Sequence, residues 1–161
     1  MKKERISKDM YYLDIASKVA ERGTCLRRLY GAVIVKNDEI ISTGYNGAPR
    51  GDKNCNDIGE CERARLNVPQ GERYELCRSV HAEMNAIISA PRRDMLDATL
   101  YLSGIDATTR EHIESRPCSM CMRLIKNAGI SKIVQRNADG SLEVTDLRNL
   151  AVIEAIKEIG T

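Results

Sequence analysis

The strongest constraint on the fold is a set of three metal donors split between two distant segments, His81-Ala-Glu83 and Pro117-Cys118-Ser-Met-Cys121. Zinc prefers nitrogen and sulfur donors in a tetrahedron, and a catalytic zinc takes three of them and leaves the fourth position to water. His81, Cys118 and Cys121 are such a set, so the fold has to carry the two segments together. Each opens a run of helix formers. Residues 81–90 end at Pro91, and 118–128 follow Pro117 and stop at Gly129. Cys118 and Cys121 are three apart on a predicted helix, which puts both thiolates on one face. They fall in its first turn, where the helix dipole favours negative charge. Glu83 is not needed as a ligand. It is placed to move protons between a metal-activated water and a departing group.

The rest of the chain alternates strand and helix. Ser7 is a fair N-cap for a helix with Met10, Leu13, Ala16 and Ala20 on one face, ended by Gly23. Gly31–Lys36 reads as a buried strand, Asn37-Asp38 as a turn, and Glu39–Tyr45 as the hairpin partner. Ala98–Leu102 and Ser131–Gln135 are further strands, and Leu147–Ile159 is an amphipathic helix. Between Asn46 and Leu76 Gly and Pro break the pattern, leaving room for a short helix over Glu60–Leu66. A loop this long is functional, disordered or pinned, and Cys55 and Cys61 within it suggest pinning. The implied architecture is an α/β three-layer α/β/α sandwich. Its mixed sheet has about five strands, the first pair antiparallel, and residues 1–161 form a single domain. The chain has no Trp and no Phe, so aliphatic side chains and a few Tyr build the core.

Charge narrows the partners. The net charge of +2 is too weak to argue for a nucleic-acid polymer. One or two placed arginines are enough for a small anion. No apolar run reaches membrane-span length, and the N-terminus lacks a signal-peptide pattern, so a soluble cytoplasmic protein is expected. In that compartment clustered cysteines bind metal or do chemistry more often than they form disulfides.

The H-x-E…P-C-x-x-C pattern is the signature of zinc nucleobase deaminases. Gly44-Tyr-Asn-Gly47, Pro49-Arg-Gly51, His81-Ala-Glu-Met-Asn-Ala-Ile87 and Pro117-Cys-Ser-Met-Cys121 occur here in order. Over roughly Cys25 to Val134 the chain therefore resembles the deoxycytidylate (dCMP) deaminases of the cytidine deaminase-like superfamily. The resemblance implies a zinc-dependent hydrolysis of dCMP to dUMP and ammonia, supplying dUMP for thymidylate synthesis, with Glu83 catalytic. It implies that Asn46 contacts the sugar and Arg92 the phosphate, with Arg50 a second phosphate candidate. Gly44, Tyr45, Asn46 and Gly47 resemble a loop that binds dCTP or dTTP as effector, with Mg2+ accompanying the nucleotide, in a homo-oligomer of hexameric size. Some members also hold a structural zinc, for which Cys25, Cys55, Cys61 and Cys77 are the candidates. One departure stands out. After Ile133-Val134 the family often carries tyrosines, whereas Gln135–Gly140 contains no aromatic residue, and Arg136 is the substitute candidate.

Two other readings are open. One is a different deaminase of the superfamily, acting on a free base, a nucleoside or tRNA adenosine. The low net charge and the long segment 47–80 oppose the tRNA reading. The other is a zinc-stabilised binding module without turnover, which would have no use for an unligated Glu83 beside an open zinc position.

Overall fold

The computed structural model of the chain describes residues 1–148. In chain order the elements are α1 (Lys8–Ala20), β1 (Arg28–Lys36), β2 (Glu39–Tyr45), α2 (Cys55–Ile58), α3 (Glu62–Arg65) and a 3-10 turn (Tyr74–Leu76). Then follow α4 (Ala82–Ile88), α5 (Arg92–Met95), β3 (Thr99–Asp106), β4 (His112–Ile113), α6 (Ser119–Asn127), β5 (Lys132–Arg136) and β6 (Leu142–Asp146). The sheet runs β2-β1-β3-β5-β6, with β4 paired to β3. Among the described residues only β3 and β5 pair in parallel, and α6 lies on the crossover between them.

The three-layer sandwich follows from strand β1. Successive side chains of a strand point to opposite faces. Val33 and Val35 pack against Tyr12, Leu13 and Ala16 of α1. Ala32 and Ile34 pack against Ala82 and Ala86 of α4 and Ile125 of α6. Both faces are covered, which is why the β1 sequence is a continuous apolar run rather than an alternating one. Asn37 and Asp38 both have positive φ, as a two-residue hairpin turn that matches strand twist requires.

Strands β1 and β3 extend beyond the expected Gly31–Lys36 and Ala98–Leu102, and β4, β6 and α5 were not expected. The helix expected at Glu60–Leu66 is present as α3. Except for its first two residues, the helix expected over Leu147–Ile159 lies outside the described residues.

Two glycines set how closely the helices approach the sheet. A Cβ on Gly31 would stand 2.0 Å from the Ala16 carbonyl oxygen of α1. A Cβ on Gly44 would stand 2.3 Å from the Ala82 carbonyl oxygen and 2.4 Å from the Ala86 nitrogen of α4. Backbone meets backbone at both places, so no rotamer change relieves a substitution. Gly31→Ala and Gly44→Ala should each destabilise by about 1–3 kcal/mol or more. In urea denaturation of the holoprotein, Gly44→Ala should also release metal at lower denaturant than Gly31→Ala, because α4 follows directly from His81. Equal metal retention in the two variants would contradict this placement.

Candidate active site

Two helix starts meet at one edge of the fold. His81 is the N-cap of α4 and Cys118 the N-cap of α6. The Cys118 sulfur accepts a hydrogen bond from the Cys121 backbone N–H at 3.4 Å. His81 Nδ1 lies 3.5 Å from the Cys118 sulfur and 3.3 Å from the Cys121 sulfur. The three ligand atoms fall within 4.8 Å of one another, and no other group of three candidate ligands among the described residues does so. Zinc bonds of about 2.3 Å to sulfur and about 2.0 Å to nitrogen at tetrahedral angles place N and S roughly 3.5 Å apart. The spacing and the donor types therefore fit zinc.

Burial sets the chemistry of these side chains. Glu83, on the first turn of α4, is 5% exposed, and burial pushes its carboxyl up to about 7, against the pull of its own backbone N–H and the Cys121 thiol. Burial, aided by the charge of Arg63, lowers the His81 basicity and so favours the neutral imidazole that ligates metal. Burial and then the adjacent Glu83 and Cys118 push the Cys121 thiol far up. A bound dication reverses that preference and ionises the thiol outright.

These groups open into a cavity of about 140 Å³. Its lining includes His81, Glu83 and Cys118, the polar Asn46 and Gln70, and the side chains of Tyr30 and Tyr74. Four arginines also face it: Arg27, Arg28, Arg63 and Arg116. None of the four was singled out from the sequence. The signals were the Arg27-Arg28 pair at the start of the first strand and Arg116 two residues before Cys118.

The candidate substrate residues divide. Asn46 lines the cavity and is held at both ends of its amide. Its Nδ2 donates to the Arg28 carbonyl at 2.9 Å, and its Oδ1 accepts from the Tyr30 N–H at 2.8 Å. Arg92 lies elsewhere. Its Nε donates to the Asn127 carbonyl at 3.1 Å, at the far end of α6 from Cys118, and it does not line the cavity. At 1.5 Å per residue that end is about 14 Å from Cys118 and about 9 Å from Cys121. Pro91 restarts the chain in α5 and turns Arg92 that way. Arg50 sits exposed in a turn outside the cavity. Arg136 is buried on the α1 side of the sheet, its guanidinium donating to Asp14 of α1 at 2.6 Å.

The Gly44–Gly47 segment has packing work in this fold. Gly44 carries α4, and Gly47 exchanges backbone hydrogen bonds with Val80, next to His81. The Tyr45 carbonyl accepts from Asn85, and the Arg22 guanidinium lies 5.9 Å above the Tyr45 ring.

Cys25, Cys55, Cys61 and Cys77 are free thiols, and Cys25, Cys61 and Cys77 line the same cavity as His81. The Cys55 thiol is pushed up by burial and then by Cys25, with Cys77 and Cys61 adding to it, so the four lie within electrostatic reach of one another. Among the described residues they are not closed to mutual ligand distance.

Known proteins match this arrangement. The model of the cytidine and deoxycytidylate deaminase zinc-binding region matches residues 6–136. The deoxycytidylate deaminase of Mycobacterium phage D29 is 41% identical over 132 residues, covering 78% of this chain and 91% of that protein. The deoxycytidylate deaminase of Schizosaccharomyces pombe is 36% identical over 131 residues, which are 81% of this chain and 37% of that longer protein. The apo crystal structure of dCMP deaminase from the cyanophage S-TIM5 superposes with a TM-score of 0.57. It covers 83% of this chain and 86% of that one at 24% identity, a likeness of fold. With two zinc-type cysteines and a histidine brought together inside the matched region, the chain belongs to the cytidine and deoxycytidylate deaminase family.

Proposed function

We propose that this chain, acting as one domain, hydrolyses dCMP to dUMP and ammonia at the site formed by His81, Glu83, Cys118 and Cys121. The observation that carries the reading is Glu83, a buried carboxyl beside three metal donors and not one of them. Zinc, when bound there, acidifies a water so that hydroxide is available near neutral pH. The Glu83 carboxylate takes the proton of that water and delivers it to ring N3 of cytosine. As hydroxyl oxygen bonds to C4, a second proton passes through Glu83 to the amino nitrogen. The C4–N bond then breaks, ammonia leaves, and C4 becomes the uracil carbonyl. A carboxyl held near neutrality suits both the taking and the giving of a proton. The relatives that carry dCMP in their names support the substrate, and so do the arginines of the cavity wall, which are able to neutralise a phosphate.

The proposal extends to a second, structural zinc on Cys25, Cys55, Cys61 and Cys77. Its support is their gathering around Cys55 and the chemistry of a closed four-thiolate site. It would fasten segment 47–77 to the start of β1. A backbone bond from the Asn56 N–H to the Thr24 carbonyl, at 3.2 Å, already joins these regions.

Glu83→Gln should keep its zinc and lose about 10²–10⁴-fold in ammonia release from dCMP. Activity within threefold of wild type would remove Glu83 from the chemistry. Arg28→Ala should raise KM for dCMP at least roughly tenfold while leaving deoxycytidine turnover little changed, because a charge-assisted phosphate contact is lost. Arg92→Ala should leave KM for dCMP within about twofold, and the reverse outcome would return the phosphate to Arg92. Metal analysis should find two zinc ions per chain and one in Cys55→Ser, with proteolysis appearing between residues 47 and 77 of that variant.

A further inference from the structure

Arg63 sits in a four-residue helix inside an irregular segment, yet it is only 9% exposed. Long charged side chains are seldom buried unless something holds them. Its guanidinium donates to the carbonyl oxygens of Pro69, at 2.9 Å, and Glu72, at 2.8 Å. The same group lies over the ring of Tyr74 at 4.8 Å, close enough for a cation–π contact. Tyr74 in turn meets the His81 ring edge-on, at 5.1 Å and an interplanar angle of 88°. The chain reverses between these partners through two residues of positive φ, Gly71 and Arg73. One guanidinium therefore fixes both ends of the 69–74 turn and the aromatic ring that stands on the candidate metal ligand. Arg63, Gln70, Gly71 and Tyr74 all line the cavity.

We infer that Arg63 is a positioning residue for the nucleotide. It folds residues 69–74 into a wall of the cavity and acts through Tyr74, whose ring sets the width of the slot beside His81 in which the pyrimidine lies. Two features favour this over a purely structural anchor. The partners of Arg63 are backbone carbonyls of the wall and a cavity-lining ring, not groups of the core. Tyr74 meets the imidazole edge-on, and both residues line the cavity. Both carbonyls are reached from the one Nη2 atom, so a lysine ammonium retains donors for them but lacks the planar guanidinium face that lies over the Tyr74 ring.

The inference rests on the dCMP reading, but its test also has a readout without turnover. The metal-loaded full chain and the variants Arg63→Gln, Arg63→Lys, Tyr74→Ala and Arg63→Gln/Tyr74→Ala are titrated calorimetrically with dUMP and assayed with dCMP. Arg63→Gln and Tyr74→Ala should each weaken dUMP binding at least roughly tenfold, with the loss in KM rather than kcat and zinc content unchanged. The double variant should bind no more weakly than Tyr74→Ala alone, because the two act as one unit. Arg63→Lys should fall between wild type and Arg63→Gln. Additive losses in the double variant, dUMP binding within twofold of wild type in Arg63→Gln, or a loss confined to kcat would each overturn the inference. If Arg63→Gln fails to fold, Tyr74→Ala binding dUMP as tightly as wild type overturns it alone. Wild type that binds dUMP but releases no ammonia from dCMP would defeat the deaminase reading and leave the binding comparison to decide this one.

Discussion

Everything in the site depends on two helices starting at the same point in space. A helix start leaves backbone N–H groups without internal partners and presents a positive dipole end, which tolerates sulfur anions and carboxylates. Here His81 and Cys118 occupy the two N-cap positions, and Cys121 and Glu83 follow within the first turns. The meeting is enforced from below. Gly44 lets the α4 backbone rest directly on β2, Gly47 pairs with Val80, and the parallel crossover from β3 to β5 carries α6 over the same face. The ligand geometry is thus a property of the sheet and its two packed helices. Sites built on such elements hold their positions better than sites on loops.

Burial does the rest. The same low-dielectric surroundings that raise the Glu83 carboxyl also depress the imidazole and hold the Cys121 proton. A dication resolves these costs together, since it ionises the sulfurs and takes the neutral imidazole nitrogen as a ligand. The protein supplies a cavity that the buried Glu83 carboxyl shares with the metal donors His81 and Cys118, with four arginines on its walls.

The sequence made the metal donors legible because their chemistry is local: two short motifs name the residue types and the helices that carry them. The core strands were equally readable, since β1 and β3 are buried on both faces. Less was visible where partners lie far apart in sequence. Strand β6 has partly exposed side chains on a sheet edge, and Val144 faces solvent, so no apolar run announces it. Arg92 follows α4 closely in sequence, but Pro91 and α5 send it to the other end of α6. Arg63 looked like any charged residue of a loop. Its burial depends on the path of residues 69–74, which no local pattern encodes.

The most direct test of the account is an anomalous difference map at the zinc edge from crystals of the protein as purified. The account predicts a peak about 2.0 Å from His81 Nδ1 and about 2.3 Å from each of the Cys118 and Cys121 sulfurs, with Glu83 outside bonding distance. Metal bound through Glu83, or no peak between the two helix starts, would contradict it.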